Sequence, residues 1–162
     1  MLKFAIATIL LGSSLSCVAE DHFNPFEALE EDGAHSIYES IGLASVCLIE
    51  GDYHGALDNY FIASLMAEDA VPSVPGAKFL IHFGKAIAFD NLGMRDQCMQ
   101  AIGTMFVSLV ADNDDLEEED GEDEPDTPEE IEAYEFMKNL ATLAPSQDVR
   151  EFLVSFLKEL LD

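Results

Sequence analysis

The chain has no tryptophan and only seven lysines and arginines in 162 residues. Against them stand 33 aspartates and glutamates, for a net charge of −26. That balance excludes electrostatic binding to nucleic-acid phosphates and to anionic membrane surfaces. It favours solubility and an attraction for basic partners or cations. Cysteine is scarce, at three residues. His22, His35, His54 and His82 lie far apart, and no His-x3-His or Cys-x2-Cys pairing occurs, so no metal-ligand set is legible. There is no glycine loop to cradle a phosphate and no Gly-x-Ser-x-Gly elbow. Nothing in the sequence points to an enzyme, a catalytic residue or a cofactor. After the N-terminus no apolar run is long enough to span a membrane.

What is present is a core-forming composition, 49% apolar, on a length that fits one domain plus appendages. Residues 1–19 read as a secretory signal peptide. Lys3 supplies the positive start, Phe4 to Leu11 the apolar centre, and Ser-Leu-Ser-Cys-Val-Ala the small-residue region. Cys17 and Ala19 fit the −3 and −1 places of a cleavage site. Alternatively Cys17 is a candidate for lipidation, with the signal ending at residue 16 and a lipid anchor on the product. For that motif Leu15 sits one place too near, and Ser14 holds the usual leucine position. Either way the protein is expected to be exported, to a periplasm, cell envelope or secreted space. Residues 20–35 form a polar lead-in, in which Asn24-Pro25 starts a short helix. Phe23, Phe26 and Leu29 could pack over the end of the first helical hairpin.

The stretch Ser36–Ala67 organises the rest. Ser36 with Glu39 three places on makes a capping box, and Ile41, Ala44, Cys47 and Leu48 then share one helical face. Gly51 can take the left-handed conformation that closes this helix, and Asp52 can cap the next. Tyr53, Ala56, Leu57, Tyr60, Ala63 and Leu65 continue as a second stripe. Gly-Asp-Tyr followed by Ala56, Tyr60 and Ala63 resembles the tetratricopeptide repeat, with small residues where two helices touch and aromatic ones beside them. The family's first-helix pattern is poorly kept: its places fall on Ser40, Leu43, Ala44 and Cys47, where only the leucine and a small residue survive.

A Pro-rich loop with Pro72, Pro75 and Gly76 comes next, then a second hairpin. Its first helix is predicted over Ala77–Asn91 and its second over about Arg95 to Val110. Leu92-Gly93 makes the turn, and Cys98, Ile102 and Met105 stand where Ala56, Tyr60 and Ala63 do. Gly51 and Gly93 are 42 residues apart, longer than the family period of roughly 34, and the Pro-rich loop accounts for the excess. Lys85, Cys98 and Met105 depart from the family pattern. Cys47 and Cys98 lie on apolar faces, as two small buried residues or, in an exported protein, as a disulfide.

Asp112–Glu130 carries thirteen acidic residues and no basic one. Like charges at this density repel and cannot form a core, so residues 112–128 are expected as a disordered acidic loop. An EF-hand reading fails, because Leu116 and Thr127 fall at the first and twelfth ligand places. That leaves a solvated spacer or diffuse binding of divalent cations. Thr127-Pro128-Glu129-Glu130 is a strong helix start, and a helical pair over residues 129–162 closes the chain. Val149, Phe152, Leu153, Phe156, Leu157, Leu160 and Leu161 make its clearest amphipathic stripe, as a cap on the array or as a partner-binding or dimerising helix.

The reading is an all-α chain: two tetratricopeptide-like antiparallel hairpins over residues 36–111, stacked as a short solenoid, with a C-terminal helical pair. The resemblance implies a non-enzymatic protein–protein interaction module or scaffold that holds a protein or peptide partner on a concave face. Here that face would be offered by Ser40, Leu43, Cys47, His82, Lys85 and Phe89. Its alternative is a chaperone-like holder of secretion substrates.

Overall fold

The computed structural model describes residues 33–70, 74, 76–114 and 128–159, and these form an all-helical chain. The helices are α1 (Gly33–Glu50), α2 (Tyr53–Asp69), α3 (Ala77–Asn91), α4 (Arg95–Asp114), α5 (Pro128–Ala141) and α6 (Gln147–Glu159). They pack as neighbouring hairpins in a short helical solenoid, α1 on α2, α2 on α3, and α3 on α4. Residues 1–19, expected as a signal peptide with Cys17, most of the expected polar lead-in and the acidic run over residues 115–127 lie outside the described residues. No helix among the described residues is long and apolar enough to cross a membrane.

Both hairpin turns form at the expected glycines. Gly51 has φ +81° and Gly93 φ +69°, a region that an L side chain enters only at a cost. Asp52 caps α2 by accepting from the Gly55 backbone N–H at 3.0 Å. Its carboxylate lies so close over Gly55 that a Cβ there would meet an oxygen at 2.2 Å.

The expected start of α1 is corrected. The helix begins at Gly33, so Ser36 is an interior residue and buried, not a cap. With Ser40, Ala44 and Cys47 it forms a row of small residues, spaced to lie on one side of α1. That row meets α2: Ser40 Oγ donates to Met66 Sδ at 4.0 Å, and Asn59 Nδ2 donates to Cys47 Sγ at 4.0 Å. On α2, Ala56, Tyr60 and Ala63 are buried as expected, but Leu65 is exposed. The helix turns it about 200° from Ala63, and Met66 and Ala67 take up the core instead.

The α3 helix lies at the centre. Ten of its 15 residues are buried, from Ala77 through Phe83 to Asp90. The Tyr60 ring of α2 rests on Gly84 of α3, where a Cβ would fall 2.0 Å from the ring. The Tyr60 hydroxyl lies 3.4 Å from Ser45 Oγ, which itself donates to the Ile41 carbonyl at 2.9 Å. Cys98, Ile102 and Met105 of α4 are buried, matching Ala56, Tyr60 and Ala63. The α4 helix runs on to Asp114, past the expected end at Val110 and into the first acids of the run expected as loop.

The α5 helix lies across α1 and α3. Phe136, Met137 and Leu140 face Ile41, Ser45, Leu80 and Phe83 around a cavity of about 10 Å³, room for about one water. The α6 helix buries Val149, Leu153 and Leu157. Its Phe156 reaches Phe79 of α3 at 6.2 Å and Phe106 of α4 at 4.6 Å between ring centroids. Val149, Leu153, Phe156 and Leu157 of the C-terminal stripe are therefore used in the chain's own core, Phe152 is exposed, and Leu160 and Leu161 lie outside the described residues.

A polar clamp joins the two far turns. The Asp90 carboxylate accepts from the Ser146 backbone N–H at 2.9 Å and from Ser146 Oγ at 2.5 Å. Asn91 Nδ2 donates to the Leu143 carbonyl at 2.9 Å. Beside them Arg95 pairs with Asp148 on the surface, a contact of the kind that contributes little.

Candidate functional site

The six residues expected on one concave face are not brought together. Ser40 is 2% exposed and points at α2, so it is not available to a partner. Cys47 is half-buried toward Asn59 of α2. Leu43 is 44% exposed on α1. Where α1 and α3 face α5, the chain covers them itself with Phe136, Met137 and Leu140. His82, Lys85 and Phe89 do share a surface, but on the side of α3 turned toward α2, as the contact of Lys85 with Ser64 shows.

That surface is the narrow strip of α3 left by the core. Lys78, His82, Lys85 and Phe89 succeed one another at steps of four, three and four residues, which places them on one helical face. Lys78 is exposed, and the other three are half-buried. Lys85 Nζ donates to Ser64 Oγ of α2 at 2.6 Å. Burial pulls the Lys85 pKa below its ordinary value, and Glu68 of α2 acts against that. His82 is pushed from 6.5 down to about 4, by burial first and then by Lys85 and Lys78, so its imidazole is neutral at pH 7. Phe61 of α2, one turn before Ser64, is 58% exposed.

No group of three or more His, Cys, Asp or Glu side chains that could hold a metal ion occurs among the described residues. His54 is exposed on α2. Cys47 and Cys98 are free thiols. Burial pushes Cys98 up to about 11, with Asp90 adding to the effect. Burial, Asp52 and Glu50 likewise raise Cys47. Both thiols are thereby held in the less nucleophilic form at neutral pH.

Two features went unseen in the sequence. Ser64 as the partner of Lys85 lies 21 residues away and carries no local signal. Asp90 had one: a carboxylate in the last turn of a helix is disfavoured by the helix dipole, so a buried Asp there implies donors from elsewhere. Compared with protein-family models, with curated proteins and with solved structures, the chain finds no match.

Proposed function

We propose that the chain is a non-enzymatic protein–protein interaction module of tetratricopeptide type that acts after export, in the cell envelope or secreted space. The observation that supports this most is the strip on α3. In a helix that the core otherwise consumes, three basic or titratable side chains and one aromatic residue stay accessible beside an exposed Phe61. A surface with buried stems and open polar tips suits recognition of a peptide or protein. The signal-like residues 1–19 support the location.

Site-specific photo-crosslinking tests the interaction. A photo-reactive residue at Phe61 is expected to trap one protein in the cells that make the chain, and the same residue at Ile131, exposed on α5, to trap none. The trapped protein should bind the purified chain and lose binding with Lys85→Glu. Identical adducts from both positions, or none, would defeat the module reading. The mass of the mature N-terminus tests the location: a start between Cys17 and Asp21 is expected. An intact Met1 would turn the reading to a chaperone-like holder inside the cell.

A further inference from the structure

We propose that the α3 strip, Lys78–His82–Lys85 with Phe89 and the neighbouring Phe61, is a docking site for an acidic peptide segment of a partner protein. This rests on the module reading and names the chemistry of its ligand.

The argument begins with where positive charge sits. The α1 and α2 helices contain no lysine or arginine. Arg95 is paired with Asp148 and Lys138 with Glu135, whereas Lys78 and Lys85, like Arg150 and Lys158 on α6, make no ion pair among the described residues, and of these four only Lys78 and Lys85 share a strip with a histidine. Two ammonium groups and an imidazole are thus gathered on one strip of a strongly acidic chain. The carboxylate that acts on Lys85 is Glu68, exposed on α2 and beyond ion-pairing distance. Lys85 spends one of its three donors on the neutral Ser64 hydroxyl, which leaves two. Half-burying a cation without a carboxylate costs solvation, and a bound anion would repay that cost with a charge-assisted hydrogen bond.

Spacing narrows the ligand. Seven helical residues separate Lys78 from Lys85, ~10 Å along the axis. Carboxylates three residues apart on a peptide in the polyproline II conformation lie on one side and span about 9 Å, close to the same distance. Phe89 continues the strip one turn beyond Lys85, and Phe61 flanks Ser64. An apolar side chain placed between or beside the carboxylates would have these rings to pack against. The neutral His82 can donate or accept between the two lysines. The chain's own net charge does not forbid such a ligand. At physiological salt, repulsion is largely screened beyond about 8 Å, so a short peptide feels the local lysines, whereas a long polyanion would feel the whole chain.

The test is binding of a labelled Glu-rich dodecapeptide with one central phenylalanine to the full chain, measured by fluorescence anisotropy. Its Gln isostere is the control. The acidic peptide is expected to bind at least about tenfold more tightly than the isostere, and to weaken as salt rises. Lys85→Gln and Lys78→Gln should each weaken it severalfold, Lys85→Arg should restore most of the affinity, and Lys138→Gln on α5 should change nothing. Circular dichroism of each variant separates lost binding from lost fold. Equal affinity for both peptides, or an equal effect of Lys138→Gln, would overturn the proposal, as would binding of neither peptide. Were crosslinking at Phe61 to yield a partner that Lys85→Gln still binds fully, the module reading would stand and this inference alone would fall.

Discussion

The α1–α2 and α3–α4 hairpins share one plan, yet they are used differently. In each, a left-handed glycine makes the turn, and three positions of the second helix are buried at the same spacing: Ala56, Tyr60 and Ala63 in one, Cys98, Ile102 and Met105 in the other. Their first helices diverge. Leu43, Val46 and Ile49 stand exposed on α1, while α3 has no exposed large apolar residue. The difference is one of position. The α1 helix is flanked by α2, α3 and α5, whereas α3 is wrapped by α1, α2, α4 and α5, with α6 reaching it through Phe156. A helix enclosed on so many sides keeps only a narrow polar strip, and whatever that strip carries is displayed against a packed background.

The largest expected effect tests this contrast in burial. Phe79→Ala on α3 should cost about 3–5 kcal/mol, against about 0.5 kcal/mol or less for Phe61→Ala on α2, as read by urea unfolding. Similar losses would erase the distinction between a central and a peripheral helix. Next comes a pair of glycines. Gly84→Ala should destabilise by about 1–3 kcal/mol, because the added methyl meets the fully buried Tyr60 ring. Gly103→Ala on α4 meets nothing within 4 Å and should stabilise by about 0.5–1 kcal/mol through helix propensity. A shared sign in thermal melts would show that the contact of Tyr60 with α3 is not as described.

A third comparison concerns the matched positions. Ala63→Leu should overpack α2 and cost about 1–3 kcal/mol. Met105→Leu, a volume-conserving change at the equivalent buried site, should cost less than about 1.5 kcal/mol. Urea midpoints of the two variants check the order. The smallest effect is the pH dependence of His82. Its native pKa is held at about 4, below the ordinary 6.5. As pH falls, the unfolded chain takes up this proton first, so native stability declines between about 6.5 and 4 and the loss is complete below that window. His82→Gln should flatten that part of the stability profile by on the order of 1 kcal/mol, allowing for the ring's solvent-facing side. An unchanged profile would place His82 in water.

The hairpins were legible because their signals are local. Gly51, Asp52 and Gly93 act within a turn, and the bounds of α3 fall where the stripe from Ala77 to Asn91 places them. The start of α1 was misplaced because Ser36 suits a cap as well as a close contact between helices. A local pattern does not separate the two uses. The candidate face was only half legible. His82, Lys85 and Phe89 share a surface, but Ser40 and Cys47 turn toward α2. Which face α5 would cover depends on pairings across the whole chain, such as Met137 with Ile41. No spacing rule on α1 or α3 encodes that choice.

The clamp of Asp90 on Ser146, with Asn91 on Leu143, bears on how the protein comes apart. In a linear array each unit touches only its neighbours, so the ends fray and stability adds up unit by unit. Here the last hairpin is tied to the turn of the second and also lies on the first helix of the first. Peeling α5 and α6 away would uncover Ile41 and Phe83 together and break the hydrogen bonds of Asp90 to Ser146 and of Asn91 to Leu143. The ladder of partly unfolded forms that an open array populates is thereby penalised. The chain should melt in one cooperative step, and amides of α3 and α6 should exchange through the same global opening.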